Sequence, residues 1–462
     1  MAEVVTSKKA CSVSPLKMSQ PIGGALAFLG LHGSMPVLHG SQGCTAFGLV
    51  LFVRHFREMI PLQTTAMNEV TTILGGMENI EQALLNIARR AKPQVVGICS
   101  TGLTETKGED IAGYLKLIRQ RRPELADLPV VYVSTTDFTG AFQDGWAKTV
   151  AQIVEELVVP ATTRNEDQIN LLAGSHLTPG DLEEIRRIVE SFGFRPILLP
   201  DLSGSLDGHI PEDFTPTTLG GTRLEEIRAM GSSRATIALG EQMRGAALAL
   251  EMKCGVPHML VDRLMGLRAV DRFVQLLAEL SGRPVPQIYR RQRSQLVDAM
   301  LDSHFFLGGV KVAIGAEPDL LQNVGHWLAE LGCKLEAAVS TTESIVFSGL
   351  PVERVHIGDL EDLEREALGC QLLLTHSHGR QMAARLQIPF YRIGLPIFDR
   401  LGAAHQLLVG YRGSRNFLFE VANLLIAARE EEEGYHHRLP ELRSHAEEAR
   451  ACQCQGEERS AG

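Results

Sequence analysis

Short aliphatic runs rich in β-branched residues recur along the chain, each followed by a turn and then by apolar positions at helical spacing. Residues 95–99 (VVGIC) lead through Ser100-Thr-Gly-Leu-Thr into a helix predicted over 109–121, and residues 130–133 (VVYV) lead into one ending near 157. Pro160-Ala-Thr-Thr-Arg-Asn165 reads as a linker. The pattern then restarts with 169–173 (INLLA), a helix over 178–192, strands at 196–199 and 235–239, and a helical stretch over about 270–306. It restarts again with 310–314 (VKVAI), a helix over 318–331, strands at 335–339, 355–357 and 371–374, and a last helix over about 414–429. Short apolar strands alternating with helices predict parallel sheets covered on both faces, and right-handed crossovers make each series Rossmann-like. The expected fold class is α/β, three Rossmann-like domains with parallel sheets at 19–165, 166–308 and 309–429. An extension at 1–18 precedes them and a tail at 430–462 follows.

The length of 462 residues agrees with three domains at roughly 150 residues each. A net charge of −10 argues against a broad phosphate-binding surface, so nucleic acid is not an expected partner. The tail carries nine glutamates against four arginines, a net of −5 and half that of the chain, and reads as a solvated segment. No apolar run follows a basic start in residues 1–20, and the longest apolar run, 44–53, is too short to span a bilayer. The expectation is a cytoplasmic protein with no membrane partner. Eight cysteines are too few for a disulfide scaffold in a chain this long and read as reduced thiols, some of them ligands.

One of these thiols stands out. Cys44 follows His39-Gly-Ser-Gln-Gly43 and opens the apolar run 45–53, which predicts a helix entering the core. A thiol at a helix N-terminus sees the positive end of the dipole, which favours the thiolate. Gly40 and Gly43 allow close backbone approach, and their N–H groups can donate to sulfide in an iron–sulfur cluster. A buried structural cysteine is the plain alternative. One thiol cannot hold a cluster alone, since four ligands are normal.

His-Gly-Ser-Gln-Gly-Cys44 is followed by Arg54-His-Phe-Arg-Glu58, Leu74-Gly-Gly76, Ser100-Thr-Gly-Leu-Thr-Glu105 and Gly108-Glu-Asp110. Gly220-Gly-Thr-Arg-Leu-Glu-Glu-Ile227, Gly394-Leu-Pro-Ile-Phe-Asp-Arg-Leu-Gly402 and Gly410-Tyr-Arg-Gly413 come later. In this order the motifs resemble the nitrogenase molybdenum–iron protein family, over about residues 18–427. Within the family the chain is most similar to the β-type subunit of the scaffold on which the iron–molybdenum cofactor is assembled. The catalytic β subunit has cysteines before Gln-Pro, in Gln-Gly-Cys, and after Ser-Thr-Thr; here those places hold Ser19, Cys44 and Gly102. With two of three thiolates missing, this chain could not supply its half of an eight-iron P-cluster.

The resemblance implies a scaffold role with no independent catalysis. A NifE-type α subunit would supply three further cysteines, and with Cys44 they would hold a 4Fe–4S cluster at the interface of an α2β2 heterotetramer. The precursor of the iron–molybdenum cofactor would lie mainly in the partner. The nitrogenase iron protein would dock transiently, and cofactor carrier proteins would deliver and collect the cargo. The alternative is the electron-transferring β subunit of a nitrogenase-like reductase, of nitrogenase or protochlorophyllide reductase type.

Weaker signals have plainer readings. His376 and His378, in Thr375-His-Ser-His-Gly379, read as loop residues near a subunit surface, with no third metal ligand nearby. Arg54, His55 and Arg57 read as ion-pair partners of acids such as Glu58. Thr222 with Glu225 reads as a capping box. Cys99 reads as core packing, Ser19 as the remnant of a lost cysteine position, and Cys452 with Cys454 as an incomplete metal site. No phosphate-binding P-loop occurs.

Overall fold

The computed structural model describes residues 2–9, 12–210 and 212–436, with side chains to 429. Three sheets carry the fold, and every strand pairing in them is parallel. The first is ordered Gln63–Thr64, Ser34–His39, Val95–Ser100, Val130–Val133. The second is ordered Arg195–Leu199, Asn165–Ala173, Ser233–Leu239, His258–Val261. Helices cover the sheets, which is why the central strands are buried residue after residue and read as unbroken apolar runs. At Gly97 a Cβ would lie 2.3 Å from the ring of Phe28, so a bare backbone is what lets the helix Gln20–Leu29 settle on the first sheet.

The third sheet has six strands, ordered Glu3–Thr6, Arg354–Ile357, Lys334–Ser340, Lys311–Gly315, Leu372–Thr375, Phe390–Arg392. Its first edge comes from residues the pattern read as an extension: Glu3 pairs with Arg354 and Thr6 with Ile357. The chain then straps across the third domain. Lys9 Nζ stands 2.7 Å from Asp359, 2.6 Å from Glu361 and 3.0 Å from Asp362, and Val13 N–H donates to Asp359 at 3.0 Å. Leu16 is buried in the third-domain core before Ser19, at the N-cap position but with no side-chain cap bond, leads into the first-domain helix.

Most predicted elements fall where the pattern places them. One stretch differs: residues 270–306 form two helices, Leu267–Ser281 and Gln287–Leu307, not one. Gly282 closes the first in the left-handed conformation, and Pro284 and Pro286 cannot continue it. The last helix, Gly410–His436, runs on past the expected end into the first residues of the acidic tail. Cys11, Cys452 and Cys454 lie outside the described residues. No described helix is long and apolar enough to cross a membrane.

The domains are fastened where they meet. Thr178 caps the helix Pro179–Ser191 by accepting from Asp181 N–H at 3.0 Å, and Asp181 returns the bond to Thr178 N–H at 3.1 Å. The same carboxylate accepts from Leu408 and Val409 N–H at 2.7 and 3.1 Å, tying a second-domain helix to the third domain. Burial pushes the Asp181 carboxyl up to about 6 against those three N–H donors.

Candidate functional site at the carboxyl edge of the first sheet

Cys44 sits in the first turn of the helix Gln42–Phe56, three residues after the N-cap Ser41. The Ser41 hydroxyl makes no cap bond to the backbone; its Oγ lies 3.6 Å from Cys44 Sγ. The thiol is half-buried, whereas Cys99, Cys333 and Cys370 are buried. Burial pushes the Cys99 and Cys333 thiols up to about 12 and Cys370 to about 11, so these remain protonated packing groups.

The cysteine helix does not plunge into the core as its apolar run suggested. Gly48, Leu51, Phe52, His55 and Phe56 face inward, while Phe47, Val50 and Val53 are 66%, 57% and 43% exposed on the opposite side. Leu103, Phe138, Ile73 and Leu74 are also exposed, on segments that follow the other strands of the same sheet edge. A run of apolar surface around a half-buried thiol is the mark of a face that another protein covers.

The motif residues hold this edge rigid. His39 ends a central strand; its Nδ1 is 2.9 Å from Thr65 Oγ1, and its Nε2 is 2.9 Å from Glu109 Oε2. Gly40 N–H donates to Thr65 Oγ1 at 3.1 Å, the Thr65 hydroxyl donates in turn to the bare Nδ1, and Nε2–H donates to Glu109. Burial holds His39 below its usual range, consistent with that neutral form. Burial alone would raise Glu109, yet bonds from His39, Lys107 and Gly76 N–H (2.8 Å) hold its carboxyl low. A Cβ on Gly76 would lie 2.6 Å from the His39 ring, which explains the glycine pair ahead of this helix.

The three positions that carry cysteine in the catalytic branch belong to one edge. Thr101 Oγ1 donates to His39 O at 3.0 Å, bringing the turn before Gly102 against the Cys44 loop. Gly102 N–H donates to Asp137 at 2.8 Å, and Gln20, next to Ser19, donates to Thr139 O at 2.5 Å in the same 136–139 loop. A side chain at 102 would start 3.0 Å from Asp137 Oδ2. Among the described residues, no three His, Cys, Asp or Glu side chains converge as a metal site.

Three plainer readings change. Arg54, His55 and Arg57 do not pair with Glu58, whose Oε1 accepts from Gly208 N–H at 2.7 Å. They grip the late motif instead: Arg54 lies 4.0 Å from the Phe398 ring centre, Arg57 donates to Phe398 O at 3.0 Å, and Ile397 N–H donates to His55 Nδ1 at 2.9 Å. Thr222 is no cap, because it is buried and its hydroxyl donates to Leu198 O, while Glu226 accepts from Arg223 N–H at 2.9 Å. His376 is buried rather than superficial, with Nε2 3.2 Å from Leu16 O; His378 alone is exposed. No spacing rule links Arg54 to a residue 344 positions later, and only the shared motif set hinted at the contact.

The nitrogenase component 1 type oxidoreductase family model matches residues 19–426. The iron–molybdenum cofactor biosynthesis protein NifN of Bradyrhizobium diazoefficiens is 61% identical over 436 residues, covering 93% of each chain. NifN of a Nostoc species is 52% identical, covering 93% of this chain and 97% of its own. A solved nitrogenase Cp1 chain superposes with a TM-score of 0.88 at 31% identity, covering 92% of this chain and 96% of that one. The chain belongs to the nitrogenase component 1 type oxidoreductase family and, within it, to the branch of the NifN cofactor-biosynthesis proteins.

Proposed function

We propose that this chain is the β-type half of a cytoplasmic scaffold on which the nitrogenase iron–molybdenum cofactor is assembled from an iron–sulfur precursor before transfer to apo-nitrogenase. It pairs with a NifE-type α subunit and doubles to α2β2, the iron protein docks transiently, and carrier proteins exchange the cargo. The precursor rests mainly in the partner. This chain contributes Cys44 to a 4Fe–4S cluster shared across the interface. One observation carries the reading: a single half-buried thiol on an apolar, uncovered face, with Ser19 and Gly102 at the two other positions of the same edge.

The donor set fits a shared cluster and no larger one. One thiolate from this side leaves three to the partner, and Gly102 has its N–H committed to Asp137 and little room for a side chain. Such a cluster supplies one-electron transfer. The protein's own part is to fix Cys44 through the His39–Thr65–Glu109 relay and to seal the face with Phe47 and Val50.

The test is anaerobic co-purification with the partner, with iron content and electron paramagnetic resonance measured for wild type and Cys44→Ala. A 4Fe–4S signal per αβ pair that is altered or lost in the variant is expected. An unchanged cluster with full iron would overturn the Cys44 assignment. A P-cluster signature with nitrogenase-like substrate reduction would favour the catalytic β-subunit reading.

A further inference from the structure

Where the three domains meet, a cavity of about 780 Å³ opens to solvent. One wall is the far end of the cysteine helix and the segment after it, residues 55–63; the others are 205–210 and 214–219 of the second domain and 401–405 of the third. Its lining is mainly apolar. Four of its residues, Met59, Ile210, Phe214 and Leu401, are 72%, 93%, 73% and 86% exposed around the space, an apolar rim of the kind that ordinarily marks a binding site.

The polar groups on the wall are mostly donors. His55 is 8% exposed and lines the cavity, and its Nδ1 is taken by Ile397 N–H. The remaining ring nitrogen, Nε2, therefore carries the proton and has no hydrogen-bond partner among the described residues. Arg57, His209 and His405 add basic groups, of which His209 is paired with Asp207 and Arg57 donates to Phe398 O. Glu58 is the acid on the wall, and its Oε1 is already engaged by Gly208 N–H. His55, Phe56 and Ala403 also line a second, smaller void of about 60 Å³, so this ring stands between the large space and the centre of the molecule.

The geometry points to a binding site for a small organic anion with an apolar body: the carboxylate accepts from His55 Nε2–H and faces the basic groups, and the body fills the space between Met59, Phe214 and Leu401. This site is distinct from the face that carries Cys44 and does not depend on the scaffold reading. It gives a role to a largely buried imidazole that lines the cavity and is held in one tautomer by Ile397 N–H.

Decanoate and decylamine, which share a body and differ in head, are the probes for calorimetric titration into the purified complex with the α-type partner. Decanoate is expected to bind saturably at one site per chain, and decylamine at least tenfold more weakly. Leu401→Trp, an exposed position that a larger ring can fill without entering the core, is expected to weaken decanoate at least tenfold. His55→Phe, which keeps a ring and removes the donor, is expected to abolish the preference for the carboxylate over the amine. Absence of saturable decanoate binding, equal affinity for the two probes, or full affinity in Leu401→Trp each overturns the proposal. If His55→Phe does not fold, the probe comparison and Leu401→Trp decide alone.

Discussion

Nδ1 of His55 accepts the backbone N–H of Ile397 at 2.9 Å, so the end of the helix that begins near Cys44 is fastened to the third domain. The two residues are 342 positions apart, and the bond is buried. Burial drops the His55 imidazole to about 4, so Nδ1 stays an acceptor near neutral pH.

Replacing His55 by alanine strands the Ile397 N–H. The expected cost is about 1–3 kcal/mol of stability from the unsatisfied group, with further loss from the packing of the ring against Phe56. Chemical denaturation of the complex measures it. A midpoint equal to that of the wild type would show that the bond does not hold the junction.

Glu317 is buried between the first and third domains, and burial pushes its carboxyl up to about 8. The folded form holds the proton where the unfolded chain has released it, so stability falls as pH rises from about 4.5 to about 8. Glu317→Gln removes that titration. The variant is expected to lose less stability than the wild type between pH 6 and 8, read from thermal melts across that range. Parallel profiles would contradict it.

Lys9 reaches Asp359, Glu361 and Asp362 together, while Arg365 pairs with Asp362 at 2.7 Å and leaves Asp359 to Lys9. Burial would raise Asp359, but the bonds from Lys9, Val13 N–H and Asp362 N–H hold it down at about 2. Its folded value is below its unfolded one, so its contribution is present above about 3.8 and is lost as pH falls toward 2. Lys9→Met is expected to cost about 1–2 kcal/mol near neutrality and to make the first fifteen residues an early site of proteolysis. Resistance equal to the wild type would show that the strap is held by its strand pairing alone.

Phe47 and Val50 protrude from the cysteine helix, and no described residue buries them. Phe47→Glu with Val50→Glu is expected to leave the isolated chain folded by circular dichroism and to weaken association with the α-type partner at least about tenfold. Unimpaired co-purification would place the partner elsewhere.

The alternation of apolar strands and helices was legible because burial on both faces of a parallel sheet imposes it locally, as at Val95–Ser100 and Leu372–Thr375. Cys44 was legible through its glycines and helix start. The clamp of Arg54, His55 and Arg57 on the late motif was not, because a long-range contact leaves no periodicity. Nor was the exposed stripe of the cysteine helix, since an apolar run looks the same whether its outer face meets the core or another protein. The strand Glu3–Thr6 was missed for a similar reason: four residues at an edge carry no period of their own.

The register of that strand also sets an order of events. Glu3 leaves the ribosome well before its partner Arg354, which is made 351 residues later, about 20–70 seconds afterwards at ordinary synthesis rates. The first two domains can therefore close while Glu3–Thr6 waits, and the third sheet gains that edge only when Arg354–Ile357 has been made. An early-made strand is among the last to be placed, and a tag fused close to it would compete with the step that completes the sheet.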